Sequence, residues 1–89
     1  MNNNIIVIKG TVTYLKETGA SGKATVFLTS VADKTMVEEI YPDLDGVFHA
    51  EVSNEISYSI QAQIKTFKSA LFFIPKKVRS VYLDLHIHN

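Results

Sequence analysis

The stretch Tyr41-Pro42-Asp43-Leu44-Asp45-Gly46-Val47-Phe48 joins two β-strands through a turn with a definable mechanism. Pro42 fixes its own φ and biases Tyr41 towards an extended backbone, while Gly46 permits positive φ. Asp43 and Asp45 can fold their carboxylates onto nearby backbone amides. Phe48, two residues past the glycine, anchors the strand that leaves the turn.

Downstream, Phe48, Ala50 and Val52 alternate with Val47, His49 and Glu51, a period of two that specifies a strand. Ser53-Asn54-Glu55 breaks it. Ile56, Tyr58, Ile60, Ala62 and Ile64 then alternate with Ser57, Ser59, Gln61, Gln63 and Lys65, the cleanest half-buried strand in the chain. Phe67 and Lys68 are expected to close that strand, and Ala70 to Ile74 reads as a run apolar on both faces, stopped by Pro75. After the turn at Pro75-Lys76-Lys77, Val81, Leu83, Leu85 and Ile87 share one face of the last strand, and Tyr82, Asp84, His86 and His88 the other.

Upstream, Thr35 to Tyr41 reads as a strand entered through a polar turn at Asp33-Lys34. Ala24, Val26 and Leu28 form the inward set of the strand before it, and Lys16 to Lys23 carries turn chemistry. The first strand, Ile5 to Leu15, places Ile6, Ile8, Val12 and Tyr14 on one face. Gly10 interrupts that face, which predicts a bulge or a close approach of another backbone. Seven short strands at intervals of about 8 to 12 residues, with no amphipathic helix, predict an all-β sandwich.

With 89 residues, the chain has room for one domain and one core, assigned to 5–89, with 1–4 as a disordered or tag-like N-terminus. Nine basic and nine acidic residues balance to zero, so charge-driven binding to nucleic acid is not expected. The absence of cysteine removes disulfides, thiolate metal sites and cysteine nucleophiles. Ile5 to Ile8 is too short for the apolar part of a signal peptide, about 7 to 15 residues, and no run nears the roughly 18 apolar residues of a membrane-spanning helix.

Taken in order, Gly10-Thr11-Val12, Thr18-Gly19, Ala24-Thr25-Val26-Phe27-Leu28, Asp43-Leu44-Asp45-Gly46-Val47-Phe48 and Tyr58-Ser59-Ile60 resemble the carboxypeptidase regulatory-like domains. These belong to the transthyretin-like (prealbumin-like) β-sandwiches, which also include collagen-adhesin B-type repeats. The resemblance implies a seven-stranded Greek-key sandwich of transthyretin-like or immunoglobulin-like type, with the Asp-Gly-x-Phe segment as a structural turn. It also implies a non-catalytic module that spaces, supports or presents other parts, commonly of secreted or cell-surface proteins. The usual Ala-x-Gly-Tyr corner is replaced by the glycine-free Thr66-Phe67-Lys68-Ser69. If Met1 is the native start, the expectation shifts to a cytoplasmic protein or an accessory part of a phage or contractile injection particle.

The same residues offer candidates for chemistry. His86 and His88, at i and i+2 on a strand, could present two imidazoles to a metal, with His49 or Asp84 as a third ligand. Asp43, Asp45 and Gly46 match part of a calcium loop, but Tyr41 stands where an oxygen ligand is needed, and a structural turn is the expected role. Hydroxyisourate hydrolases share the transthyretin fold and end in Tyr-Arg-Gly-Ser, whereas this chain ends His86-Ile87-His88-Asn89 and has Arg79 as its sole arginine. An isopeptide cross-link of the collagen-adhesin kind would need a buried lysine, yet Lys9 lies opposite the apolar face. No catalytic residue, cofactor or metal is therefore assigned.

The apolar excess points instead to a protein partner or a homo-oligomer. Ile5, Val7, Leu71 and Phe73 are outward apolar residues on strands whose second face should be polar, and they form the predicted interface. The alternative is a ligand-binding module for carbohydrate or metal, for which Tyr82 beside His86 would supply an aromatic and an imidazole.

Overall fold

The computed structural model describes residues 4–14 and 24–87. Eight strands account for most of them: β1 (Ile5–Tyr14), β2 (Thr25–Ser30), β3 (Met36–Ile40), β4 (Val47–Ser53), β5 (Tyr58–Ile64), β6 (Phe67–Lys68), β7 (Phe72–Ile74) and β8 (Ser80–Ile87). They form two sheets packed as a sandwich. One is ordered β4-β1-β8, and the other β3-β2-β5-β6, with β7 also on β5. All pairings are antiparallel except β1 with β8, which run parallel.

Alternation placed the core correctly. Ile6 and Ile8 on β1, Val26 and Leu28 on β2, Ile60 and Ala62 on β5, and Leu85 and Ile87 on β8 are at most 1% exposed. Removing each large side chain of this set from water contributes about 1.5–3 kcal/mol, which is what holds the two layers together. Phe48 and Ala50 on β4 complete the inner face of the first sheet.

Gly10 marks a close approach and not a bulge, because the register of β1 runs through it unbroken against both neighbours. A Cβ there would lie 2.0 Å from the Leu83 carbonyl oxygen and 2.8 Å from the Phe48 ring. Phe48 sits opposite Gly10 and fills the space that the missing side chain leaves.

Three expectations change. The strand expected from Ile56 begins at Tyr58, and Ile56 is 39% exposed. Phe67 and Lys68 do not extend β5. The chain reverses at Lys65-Thr66, and Phe67 pairs back with Ile64. Lys65 takes φ 55 there, the left-handed conformation that a glycine would have adopted more cheaply. Finally, the apolar run at 70–74 is a strand only from Phe72, and with β6 separate from both β5 and β7 the described residues hold eight strands where seven were expected. The register along β5 slips by one residue between Gln63↔Lys68 and Ile60↔Phe72.

Ser69 fills the slip. Its amide donates to the Ala62 carbonyl, and its hydroxyl accepts from the Ala62 amide, each at 2.9 Å. A side-chain oxygen thus replaces one rung of the ladder, which keeps a buried N–H satisfied where the strand is interrupted. The N-terminal arm is also tied in, since the Asn4 carbonyl accepts from the Asn54 amide.

Candidate functional site

At the turn between β3 and β4, Asp43 Oδ1 accepts hydrogen bonds from the amides of Asp45 and Val47, both at 2.9 Å. The Asp43 carbonyl accepts from Gly46 N, and the Asp43 amide donates to the Val47 carbonyl. Gly46 has φ 81, and its carbonyl accepts from Val12 N at 2.8 Å, which fastens the turn to β1. One aspartate does this work, and it is Asp43. The arrangement stabilises backbone, with Leu44 at the tip 96% exposed.

The predicted metal ligands do not converge. His86 projects from the outer face of the β4-β1-β8 sheet, where its Nδ1 shares a hydrogen bond with Thr13 Oγ1 at 2.6 Å. His49 stands opposite Lys9, whereas His86 stands opposite Thr13. Two strand spacings and four residues therefore separate the imidazoles, roughly 16 Å at ordinary sheet dimensions. Asp84 accepts from Thr11 Oγ1 at 2.6 Å. His88 lies outside the described residues, as does the Thr18-Gly19 turn. Among the described residues, no group of three or more histidines or carboxylates is placed to hold a metal ion. Tyr82 and His86, four residues apart on β8, do not form one platform.

The four predicted interface residues separate onto opposite sides of the sandwich. Ile5 and Val7 lie on the outer face of the β4-β1-β8 sheet, half-buried and opposite Ser53 and Glu51. Phe73 lies on the outer face of the other sheet, 62% exposed and opposite Ser59, and Leu71 at the interruption before β7 is 63% exposed. The reason is layering: β1 and β7 belong to different sheets, so their outward side chains point apart.

The two outer faces differ in chemistry. That of the β4-β1-β8 sheet carries Lys9, His49, Glu51, Asp84 and His86, with a 3.5 Å contact between His49 Nε2 and Glu51 Oε2. A solvent-open depression lies there between Val7, Lys9 and Tyr82. On the other sheet, the outward residues of the central strands are Thr25, Phe27 and Thr29 on β2 and Ser59, Gln61 and Gln63 on β5. None is charged, and all are half-buried. Register continues this floor to Phe73 and Lys68 on one side and to Met36 and Glu39 on the other, with Phe73 and Met36 62% and 54% exposed.

No protein-family model and no curated protein matches this sequence. Among the described residues, no helix is long and apolar enough to cross a membrane.

Three structural residues were missed by pattern reading. Tyr58, 2% exposed, donates its hydroxyl to the Ser53 carbonyl at 2.5 Å, and burial raises its pKa. Asn54 is 4% exposed. Its Nδ2 donates to the Val78 carbonyl, and its own carbonyl accepts from Lys77 N. Ser69 is the third. Tyr58 reads in sequence as one more apolar position of an alternating strand, and Asn54 as a turn residue. Only the Ser53-Asn54-Glu55 break hinted that a corner was there.

Proposed function

We propose that this chain is a non-catalytic β-sandwich module that binds protein through the outer face of the β3-β2-β5-β6/β7 sheet. The observation that carries this reading is the uncharged centre formed by Thr25, Phe27, Thr29, Ser59, Gln61 and Gln63, with Phe73 and Met36 beside it and the charges of Glu39 and Lys68 kept to the rim. Protein interfaces are depleted in charge at their centre and enriched in aromatic residues and methionine. The opposite face, with five ionisable side chains, is what a solvated sheet looks like. Leu71 and Phe73 stay within the proposed surface, and Ile5 and Val7 leave it.

The transthyretin-like, Greek-key reading is part of the proposal. It is supported by the strand neighbourhoods, if β6 and β7 are counted as one strand interrupted at Ser69: the first strand lies between the fourth and the last, and the second between the third and the fifth. An immunoglobulin constant arrangement would instead put the first, second, fifth and fourth strands in one sheet.

The test places a charge at the centre of the floor. Ser59→Lys removes no core contact, and it should leave the melting temperature nearly unchanged while abolishing binding of an environment-sensitive apolar dye. Phe73→Ser should weaken that binding. Wild-type protein that neither binds the dye nor self-associates at high concentration would overturn the reading.

A further inference from the structure

We infer that two copies of this chain pair antiparallel along the free edge of β4, with His49 of each opposite Glu51 of the other. The inference is independent of the face proposed to bind protein, which lies on the other sheet.

Hydrogen bonds at both ends of the β1/β4 ladder fix which groups of β4 point where. Asn54 N donates to the Asn4 carbonyl, and Gly46 O accepts from Val12 N, in the same register as the ladder between them. In an antiparallel pair, successive residues alternate between facing the partner strand and facing away. Phe48, Ala50 and Val52 therefore bond to β1, and Val47, His49, Glu51 and Ser53 turn their amides and carbonyls to the open edge.

Both ends of that edge are already closed. Val47 exchanges its amide and carbonyl with Asp43, through the Asp43 carboxylate and amide respectively. The Ser53 carbonyl accepts from Tyr58. Among the described residues, what stays open is centred on His49 and Glu51, in a strand with no proline and no register slip to blunt it.

A two-fold axis at Ala50 matches this opening. It sets His49 against the partner copy's Glu51 and repeats the contact by symmetry, so the two open residues exchange four backbone hydrogen bonds with their counterparts. Side chains directly opposite in such a pair lie about 5.5 Å apart at Cα and interact, favourably when their charges are opposite. Both side chains reach solvent, at 52% and 54% exposure. Charged residues usually guard an edge, but an imidazole, which can hydrogen-bond to a carboxylate and carries a positive charge when protonated, and a carboxylate two residues away are complementary to their own two-fold image. β3 differs, because Glu38 and Glu39 are adjacent there and would meet like charge.

Sedimentation equilibrium over a wide concentration range, together with amide hydrogen exchange at low and high concentration, tests the pairing. Wild type should dimerise, and the His49 and Glu51 amides should become slow to exchange as concentration rises, while Phe48 and Ala50 are slow throughout. Glu51→Lys and His49→Glu should each raise the dimer dissociation constant about tenfold, the scale of the two symmetry-related pairs that each reversal alters. The double variant His49→Glu with Glu51→Lys restores opposite charges across the axis and should return it to within about threefold of wild type. Circular dichroism melting shows whether each variant is folded. A monomer at all concentrations, a dimer that the single reversals leave unchanged, or fast exchange of both amides in the dimer would overturn the inference.

Discussion

The Tyr58 hydroxyl donates to the Ser53 carbonyl at 2.5 Å across the corner where the chain leaves one sheet for the other. The ring is buried in the core, so its one polar atom must find a partner, and the carbonyl five residues upstream provides it. This is the geometry of a tyrosine corner, built at the β4 to β5 connection. Tyr58→Phe keeps the ring and strands the carbonyl. Chemical denaturation at neutral pH should show a loss of about 1–2 kcal/mol.

The same residue makes stability fall in alkali. Burial raises the Tyr58 pKa in the folded chain, so above about 10, the unfolded tyrosine value, the folded state holds a proton that the unfolded state has lost. Stability is full below that pH and declines as pH climbs towards the folded value. Tyr41 is also raised, by its hydrogen bond to Glu39, and contributes in the same direction from the surface. Denaturation curves from pH 9 upwards should therefore slope less steeply for Tyr58→Phe than for wild type; parallel slopes would contradict the assignment.

Gly46 is required twice over. Its φ of 81 disfavours any L side chain, and a Cβ would lie 2.5 Å from the Val12 carbonyl oxygen. Gly46→Ala should cost about 2–3 kcal/mol and Gly46→Val more, read as a lower denaturation midpoint. Asp43→Ala, which removes the acceptor for two amides, should cost about 1–2 kcal/mol. Asp45→Ala should be nearly neutral, since its side chain makes no comparable bond in the turn.

Gly10→Ala should be the most damaging single methyl in the first sheet. The Cβ would meet the Leu83 carbonyl at 2.0 Å, and backbone cannot move aside as a flexible side chain can. Separating β1 from β8 should cost at least about 3 kcal/mol, at the upper end for overpacked sites. A melting temperature unchanged from wild type would refute the packing described for this strand.

Ser69→Ala tests the rung supplied by a side chain. The Ala62 amide loses its acceptor in a buried setting, with an expected loss of about 1–3 kcal/mol and faster exchange of that amide. Ser69→Thr, which retains the hydroxyl, should recover much of the protection if the added methyl is accommodated.

The residue alternation by itself determined which side chains enter the core and where the chain turns. Ile6 and Ile8, Val26 and Leu28, Phe48 and Ala50, Ile60 and Ala62, and Leu85 and Ile87 were all legible, because inward and outward positions follow the local period of two. The Asp43 to Gly46 turn was legible for a similar reason, its proline, aspartate and glycine acting on backbone within a few residues. Tertiary structure alone decided which strands adjoin. The parallel pairing of β1 with β8 joins residues such as Thr11 and Asp84, 73 positions apart, and no local pattern encodes that. It separated Ile5 and Val7 from Leu71 and Phe73, and it left His49 and Glu51 at an open edge, since assignment to a sheet and position within it are set by contacts among distant residues. Tyr58 and Asn54 owe their roles to the corner between the two sheets, and Ser69 owes its role to the slip within one of them, so each bonds to backbone that only the assembled strands bring into place.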